Sequence, residues 1–425
     1  MLKNFLLVTW GSSGDILPFI GVGVELKRRG HDVTLVANAH YERQATAAGL
    51  SFAAAGSEAD YDKLMADSQL WDWQLAFERA NEHWGPSIEL SYDAILKRHR
   101  PGATVLVGSV GAVGAHLAQE RLGVPFAWVV HIPFFLRSRC DPPYPARPLP
   151  GWAHWFGGSA RRLSLLYTAR NYARALQDRF VGNRRVRAQA DDVIQAVRAR
   201  LGFPAESTVL PELIIGAWPD WFAAPQRDWP RQAAVTGFPF YPPLPSGAEM
   251  DAPEAGEASP IVFTTGSLAG SQREFFTMAA GACEILRRPG VLVSPHADHI
   301  PAPLPPGVTH VQFAPFGTLF RGAAAVVHHG GIGTAAYALA AGAPQIIKPM
   351  VGEQFDTGNR LERLGVGKMI AERDIGPARM ARILRSLLGS RRVRSRCRYW
   401  RSRVDPHAGL QRTADLIETL APAAS

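Results

Sequence analysis

The sequence is poor in cysteine and has no long apolar run. Its 425 residues include only three cysteines, Cys140, Cys283 and Cys397, which are scattered and far from metal-ligand spacing. Such a set argues against a disulfide scaffold and suits a reducing cytoplasm, the expected location. No apolar stretch reaches the ~18 residues of a membrane span. The first residues, 1–4, lack the long apolar core and cleavage site of a signal peptide.

A nucleic-acid-binding motif is also missing, although the net charge is +9 and comes mainly from arginine. The arginine clusters at 161–162, 184–187 and 391–396 are not interleaved with aromatic residues, as a base-stacking platform would require. We interpret them as solvated helix faces, with a membrane surface or an anionic lipid acceptor as the alternative. The expected partners therefore include no nucleic acid, and any membrane association would be peripheral, at the inner face of the membrane.

Length and composition indicate two α/β domains. A chain of 425 residues exceeds what one core usually organises, and its 47% of hydrophobic residues can fill two. A Pro- and acid-rich stretch without apolar periodicity separates the halves. The predicted division is a first domain at 1–240, a linker at 241–259, a second domain at 260–405 and a last helical segment at 406–425.

A glycine-rich run follows an apolar strand predicted at 323–327 and opens a helix of small residues. It reads His328-His329-Gly330-Gly331-Ile332-Gly333-Thr334. Glycines let a backbone approach a large ligand without interference from Cβ atoms. The free N–H groups and the positive dipole end of a helix start favour an anion. With His329 as a neutral or positive donor, the run predicts a diphosphate site.

Three more loops follow predicted strands of the same half. Glu353 and Gln354 come after the strand at 343–347 and can exchange hydrogen bonds with the hydroxyls of a sugar. Ser267 lies in a Gly-Ser turn suited to phosphate oxygens, and Phe313 offers an aromatic face for a nucleobase. Ligands of open α/β sheets bind at the carboxyl ends of the strands. The four loops together predict a nucleotide-sugar site.

The first half begins as a βαβ unit with a glycine-rich loop. A strand at 5–9 leads into Gly11-Ser12-Ser13-Gly14-Asp15, a helix that stops at Gly30, and a strand at 32–37. The loop lacks the third glycine of the dinucleotide-binding fingerprint. Asp15 has two open roles: the N-cap of the helix, worth ~1 kcal/mol, or a chemical role at the strand end.

At these residues the chain resembles the UDP-glycosyltransferase superfamily of the GT-B fold. Its signature runs aromatic-x-Pro, His-Gly-Gly-x-Gly-Thr and Asp-Gln, which correspond here to Phe313, to the run from His329, and to the Glu353-Gln354 pair. Four stretches are similar to the bacterial rhamnosyltransferases that make mono-rhamnolipids; they are 69–72, 219–230, 236–239 and 405–407. The resemblance covers essentially the whole chain. Glu353 departs from the usual Asp, and Thr357 from an Asn that often follows, so the donor sugar stays open.

The resemblance implies a fold and a set of donor-binding, catalytic and acceptor-binding residues. It implies two Rossmann-like domains that face a central cleft, with the last helix crossing back to the N-terminal domain. The implied donor-binding residues are Ser267, Phe313, His329, Gly330, Gly331, Gly333, Thr334, Glu353 and Gln354. Asp15 becomes the catalytic base facing the cleft. Aromatic-rich segments at 60–89 and 134–174 suggest an apolar acceptor pocket or a lip facing a membrane, with His131, Phe134 and Trp71 as candidates.

The expected reaction is inverting and metal-independent, and it needs no cofactor beyond the nucleotide-sugar donor. A sugar, such as rhamnose from a dTDP donor, moves to a hydroxyl of an apolar acceptor such as a hydroxy-fatty acid. Two alternatives stay open: a UDP-hexose donor with an aromatic or polyketide acceptor, and a sugar-nucleotide epimerase or a non-catalytic binding protein. Asp60-Tyr61-Asp62 matches the metal motif of the other major glycosyltransferase fold but lies in the wrong half. We interpret that match as chance.

Overall fold

Two parallel β-sheets form the framework, one in each half of the chain. The computed structural model describes residues 2–71, 76–144, 183–205, 207, 209–244, 258–266, 272–350, 352–370 and 375–421. In the described residues every pair of neighbouring strands runs parallel. Parallel pairing needs a crossover between strands, which helices supply here.

The first sheet has seven strands in the order β3-β2-β1-β4-β5-β6-β7. They are β1 (Asn4–Val8), β2 (Asp32–Ala37), β3 (Ser51–Ala54), β4 (Thr104–Gly108), β5 (Phe126–Val130), β6 (Leu213–Gly216) and β7 (Ala233–Val235). Its helices are α1 (Ser13–Arg28), α2 (Glu42–Ala47), α3 (Glu58–Ala66), α4 (Ala76–Arg98), α5 (Val113–Leu122) and α6 (Asn183–Arg200). This order contains the 3-2-1-4-5 arrangement of a doubly wound Rossmann sheet.

The second sheet repeats that arrangement with six strands in the order β10-β9-β8-β11-β12-β13. They are β8 (Ile261–Thr264), β9 (Gly290–Val293), β10 (Val308–Val311), β11 (Ala325–His328), β12 (Gln345–Ile347) and β13 (Gly367–Met369). The accompanying helices are α7 (Arg273–Leu286), α8 (Phe316–Leu319), α9 (Ile332–Ala341), α10 (Gln354–Leu364), α11 (Pro377–Gly389), α12 (Arg391–Arg401) and α13 (Ala408–Glu418).

The central strands are apolar along their whole length. β1 and β8 are buried at every position, because helices cover both faces of a parallel sheet and leave no polar side. Such runs made most of the central strands visible in the sequence, and the strand predicted at 32–37 matches β2. The shorter strands β3, β7, β9 and β13 were not predicted.

The last helix returns to the first half of the chain. α13 packs against α1, and its Ala414 and Ile417 are fully buried in the core of the first sheet. The hydroxyls of Thr236 and Thr413 lie 2.9 Å apart. A Cβ atom on Gly409 would fall 2.1 Å from the carbonyl oxygen of Phe238, so only glycine permits this approach.

One apolar cluster contains residues of both halves. It joins Trp218 and Phe222, which follow β6, to Ala335 of α9 and Trp400 of α12. The rings of Trp221 and Trp400 stack with their centroids 4.9 Å apart. We call this set the interdomain cluster. The predicted linker, 241–259, lies largely outside the described residues, and the predicted domain boundaries stay a prediction.

Candidate active site

Two of the loops singled out in the sequence, those with Asp15 and His329, follow strands at the two topological switch points. The strand order reverses between β1 and β4 in the first sheet, and between β8 and β11 in the second. Ligands of doubly wound sheets bind outside the carboxyl ends of the strands at such points. Asp15 comes soon after β1, and His329 comes directly after β11. The topology therefore brings both to the ligand-binding edges of their sheets.

Asp15 is held by hydrogen bonds to both of its carboxylate oxygens. Oδ2 accepts from the backbone N–H of Ser12 at 2.8 Å and from the Ser12 hydroxyl at 3.3 Å. Oδ1 lies 2.8 Å from Nε2 of His131, just past β5. Gly11 (φ +131°) makes this possible, since a Cβ atom there would lie 2.3 Å from Oδ2. With 30% of its side chain exposed, the carboxylate is fixed in direction yet reached by solvent.

The expectation that Asp15 is the N-cap of α1 is wrong. Ser12 is the N-cap, and Asp15 occupies the third helical position, from which its carboxylate reaches back to the N-cap backbone in a capping box. The Ser-x-x-Asp spacing at 12–15 is a variant of the sequence signature of this motif. Asp15 therefore both stabilises the start of α1 and keeps a partly exposed carboxylate at the carboxyl edge of the first sheet.

His131 was predicted to be a candidate for contact with the acceptor. The structure places it against Asp15, with only 6% of its side chain exposed. Its second ring nitrogen, Nδ1, is buried and has no hydrogen-bond partner among the described residues. Because Nε2 faces a carboxylate, Nε2 is where the proton of a neutral ring belongs. Of the two groups, Asp15 is the one more open to the cleft.

The glycines of the run at 330–333 serve different purposes. Gly330 (φ +104°) passes so close to α10 that a Cβ atom would lie 2.9 Å from the carbonyl oxygen of Gln354. A Cβ atom on Gly331 would lie 2.5 Å from Nε2 of His329. Gly333, in the first turn of α9, has open space at the corresponding point. Gly330 and Gly331 are thus required because other parts of the protein lie against them. Gly333 instead leaves open space beside the start of α9.

His328 has a role that the sequence analysis missed. It is fully buried at the end of β11, its Nδ1 accepts the backbone N–H of Gly330 at 3.1 Å, and its Nε2 lies 3.0 Å from Oε1 of Gln345. The ring therefore carries its proton on Nε2. Burial lowers the pKa of His328 to about 4, so the ring is neutral near pH 7. It fixes the glycine-rich loop from behind, and the doubled His-His was the only sequence signal for it.

His329 points toward the ligand side of the loop. Its ring lies beside Gly266 and Gly331, where any side chain would collide with it. Burial, and then the neighbouring His328, lower the pKa of His329 to about 3. The sequence left open whether this donor is neutral or positive, and the structure favours the neutral ring in the free protein. Its Nδ1 is buried without a partner among the described residues.

The predicted sugar-binding pair begins α10. Gln354 is buried, and its Oε1 accepts the backbone N–H of Met350 at 2.8 Å. Glu353 is half-buried. Burial raises the pKa of Glu353 to about 7, and the charge of Asp15 also raises it.

The remaining predicted site residues are less well defined. Phe313 is 80% exposed after β10, so its ring face is accessible, and Thr334 is buried in the first turn of α9. Phe134 contacts the interdomain cluster and the ring of Phe135. Ser267 lies outside the described residues, as does the side chain of Trp71. So do most of the aromatic-rich stretch at 134–174 and part of that at 60–89.

A cavity of about 420 Å³ lies next to His329 in the second half. Its lining includes Thr265 after β8, Lys348 and Met350 after β12, and Gln272 and Phe275 near the start of α7. Such a volume is within the usual range for small-ligand sites. The cavity extends from the predicted diphosphate loop along the carboxyl edge of the sheet.

Asp60, in the first half of the chain, has a structural partner. It accepts from the backbone N–H and the hydroxyl of Ser57, forming the capping box of α3. Over the described residues, no group of three or more His, Cys, Asp or Glu side chains is arranged to hold a metal ion. In the same residues, no helix combines the length and apolarity needed to cross a bilayer.

Two family models match separate parts of the chain. Residues 5–131 match the N-terminal domain of glycosyltransferase family 28, and residues 291–404 match the C-terminal domain of erythromycin biosynthesis protein CIII-like proteins. The first match contains Asp15 and ends at His131. The second contains Phe313, the glycine-rich run and the Glu353-Gln354 pair. Together they support a nucleotide-sugar glycosyltransferase of the GT-B type.

Similar proteins include glycosyltransferases of fungi and bacteria. A sterol 3-beta-glucosyltransferase of Aspergillus clavatus is 26% identical over 85% of this chain. The chain spans only 26% of that fungal protein's length. An uncharacterized glycosyltransferase of Mycobacterium tuberculosis is 29% identical over 98% of this chain and 99% of its own length.

Solved structures confirm the predicted GT-B fold. The glycotransferase of kitacinnamycin superposes with a TM-score of 0.71 at 20% identity, covering 99% of this chain and 100% of its own. A spinosyn rhamnosyltransferase complexed with thymidine diphosphate gives a TM-score of 0.62 at 17% identity, covering 98% and 100%. The two sheets and the returning α13 thus form the two-domain architecture that the sequence indicated.

Proposed function

We propose that this protein is an inverting, metal-independent glycosyltransferase that uses a nucleotide diphosphate sugar. The observation that carries the proposal is the Asp15 carboxylate, fixed by His131 and Ser12 yet 30% exposed, at the switch point of the first sheet. The His329 loop occupies the switch point of the second sheet. A base and an anion site on facing edges suit one displacement between two substrates.

The reaction balances with these groups alone. The acceptor hydroxyl gives its proton to Asp15 while its oxygen bonds to the anomeric carbon. The bond from that carbon to the β-phosphate oxygen breaks, and the nucleotide diphosphate leaves on the opposite face, so the configuration inverts. Negative charge grows on the leaving phosphate, where the N-terminus of α9 and His329 stabilise it.

His131 acts in this scheme as a positioning residue for Asp15. By donating from Nε2, the ring of His131 holds Oδ1 of Asp15 in one orientation. When Asp15 takes up a proton, the nearby ring and the Ser12 N–H still hold the group in place. This role accounts for the burial of His131, which an acceptor-binding residue at the mouth of a pocket would not need.

For the donor we propose a dTDP-deoxyhexose, with rhamnose as the first sugar to test. The similarity of four sequence stretches to the rhamnosyltransferases of mono-rhamnolipid synthesis supports this choice, as does the fold shared with a spinosyn rhamnosyltransferase complexed with thymidine diphosphate. Glu353, longer by one methylene than the usual Asp, is the residue expected to select the sugar. UDP-glucose is the second candidate, since fungal sterol 3-beta-glucosyltransferases are 26–27% identical to much of this chain.

For the acceptor we propose an apolar molecule with a free hydroxyl, such as a hydroxy-fatty acid. Such a molecule partitions into membranes. The chain also has one segment rich in positive charge, which an anionic membrane surface would attract. Residues 375–404, which include α11 and α12, hold ten arginines and no acidic residue; the rest of the chain has 36 basic and 37 acidic residues. Eight of the ten are exposed: Arg379, Arg382, Arg385, Arg391, Arg392, Arg394, Arg398 and Arg403.

We therefore propose peripheral association of this arginine surface with anionic lipids at the inner face of the membrane. Each arginine near such a surface contributes about 1 kcal/mol, so removing two weakens binding by roughly 25-fold. Sedimentation with phosphatidylglycerol vesicles should show this loss for the double variant Arg382→Gln, Arg385→Gln. The variant Arg43→Gln, Arg231→Gln removes the same charge elsewhere and should bind like wild type. Equal behaviour of the two variants would argue against the surface.

The activity itself is tested with a panel of substrates. The full chain is incubated with dTDP-rhamnose or UDP-glucose and with a hydroxy-fatty acid, a sterol or an aromatic polyketide, and products are identified by mass spectrometry. We expect a glycoside from dTDP-rhamnose and the hydroxy-fatty acid, with the anomeric centre inverted by NMR. Retention of configuration would refute the single displacement, and glucosylated sterol as the main product would establish the second candidate.

A further inference from the structure

A buried network of charges joins the two halves directly behind the predicted sugar-binding pair. Arg360 of α10 is 5% exposed, and its Nε donates to Oδ2 of Asp356 at 2.8 Å, one turn earlier on the helix. Its Nη1 donates to Oδ2 of Asp141, in the first half of the chain, at 2.9 Å. Arg363 donates to the other oxygen of Asp141 at 3.0 Å. Two carboxylates thus meet two guanidinium groups.

The backbone of the first half is bound by the same network. The N–H of Tyr144 donates to Oδ1 of Asp356 at 2.9 Å, and Asp356 is only 2% exposed. Burial would raise the pKa of Asp141, but Arg360 and then Arg363 hold it below its ordinary value, so the carboxylate is ionised. Buried charges are tolerated when paired and hydrogen-bonded in this way.

The segment from 131 to 144 leads from the network to the catalytic pair. It begins at His131, which holds Asp15, and ends at Tyr144 on Asp356. Midway it is fixed to its own half, because Asp228 accepts from the Ser138 hydroxyl at 2.7 Å and from the backbone N–H of Arg139 at 2.6 Å. The segment therefore spans the distance between the base and the helix whose first residues meet the donor sugar.

We propose that Asp141, Arg360 and Asp356 form a clamp that sets the position of the donor sugar relative to the base. They are positioning residues, and the proposal rests on the function proposed above. The clamp fastens α10, which starts at Gln354, to the segment that carries His131. A group that holds reacting atoms in register affects turnover strongly, since a displacement of 1 Å can cost about 100-fold in rate.

The clamp is not needed merely to keep the two halves together. The interdomain cluster and α13 already join them through buried apolar surface. The charged network also fixes the relative orientation of the two halves, because a guanidinium group bound to two carboxylates fixes angles as well as distance. Loss of one partner should therefore disturb geometry in the cleft more than it disturbs the fold.

The primary variant is Asp141→Asn, at a position where 22% of the side chain is exposed and isosteric replacement is tolerable. We expect kcat to fall by about 10- to 100-fold and the acceptor KM to rise, with the donor Kd unchanged. Asp141→Glu restores the charge and should recover part of the kcat. Arg363→Gln is the matched control: Arg363 contacts the same carboxylate but is 59% exposed, so we expect less than a threefold change.

A measurement without substrate separates this proposal from the proposed function. Amide hydrogen exchange at 138–144 should accelerate in Asp141→Asn and stay at the wild-type rate in Arg363→Gln. If Asp141→Asn shows faster exchange but unchanged kcat and acceptor KM, the network has only a structural role and the proposal is overturned. Unchanged exchange would overturn the clamp itself. If wild type transfers no sugar to any acceptor, the proposed function fails, whatever the exchange rates show.

Discussion

Replacing Asp15 by Asn separates its two roles, as a helix cap and as a catalytic base. The amide keeps one oxygen, which is enough to accept the N–H of Ser12 that Oδ2 now accepts at 2.8 Å. Its NH₂ then faces Nε2 of His131, which can become an acceptor if the ring proton moves to Nδ1. We expect this rearrangement to cost about 1 kcal/mol of folding free energy at most.

The chemical consequence should be much larger. An amide cannot take the proton of the acceptor hydroxyl, and a positioned general base contributes about 10² to 10⁴ in rate. Donor binding should hardly change, because the diphosphate loop and the Glu353-Gln354 pair belong to the second half. The assay is turnover at saturating donor, measured beside a thermal melt and a donor titration.

A second capping box supplies the matched control. In α3, Asp60 accepts the backbone N–H of Ser57 at 2.8 Å, the same distance as in α1, but it faces solvent. Asp60→Asn should therefore show the local cost of the cap without any loss of turnover, and it also tests the Asp60-Tyr61-Asp62 metal motif. Turnover of Asp15→Asn within threefold of wild type would refute the base assignment. His131 would then be the next group to test.

Three further outcomes are expected. His329→Ala should lower turnover by about 10² to 10³ with little change in melting temperature, since the ring lies on a loop; unchanged kinetics would make His329 structural. Transfer should persist in excess chelator, because the α9 N-terminus and His329 stabilise the leaving group; loss restored by Mg²⁺ or Mn²⁺ would contradict this. Burial raises the pKa of Glu353 from 4.5 to about 7, so the folded protein retains a proton that the unfolded chain releases across that window, and stability falls as pH rises through it. Glu353→Gln should therefore be more stable than wild type at pH 8, by about 3 kcal/mol, with the difference shrinking toward pH 5 in thermal melts; a constant difference would refute the shift.

The sequence predicted the framework of the site well because buried parallel strands can be recognised as apolar runs. Buried apolar runs such as β1 and β8 end abruptly, and the loops that follow carry the polar residues, so Asp15, His329 and Glu353 could be placed at strand ends without a structure. No pattern in the sequence indicated how the two halves are placed relative to each other. Short strands like β7 and β13 hold only three residues each, too few for a pattern.

What the sequence could not supply were contacts between distant residues. Nothing in the run at 330–333 indicates that Gly330 lies close against the carbonyl of Gln354, or that Gly331 lies close against the ring of His329. The pairing of Asp141 with Arg360 joins positions 219 residues apart, and each alone resembles an ordinary surface charge. Such contacts are set by the packing of the two halves, which no local pattern encodes.

The return of α13 to the first half has a consequence for exchanging parts between related enzymes. Arg29, the residue after α1, pairs with Asp415 and Glu418, and Gly409 fits against Phe238 so closely that no other residue would fit there. The last helix thus packs on the first half of the chain, although it follows the second half in the sequence. A chimera built to change donor preference should graft 260–405 and retain 408–421 from the recipient; a single crossover near 250 would pair two surfaces that never evolved together.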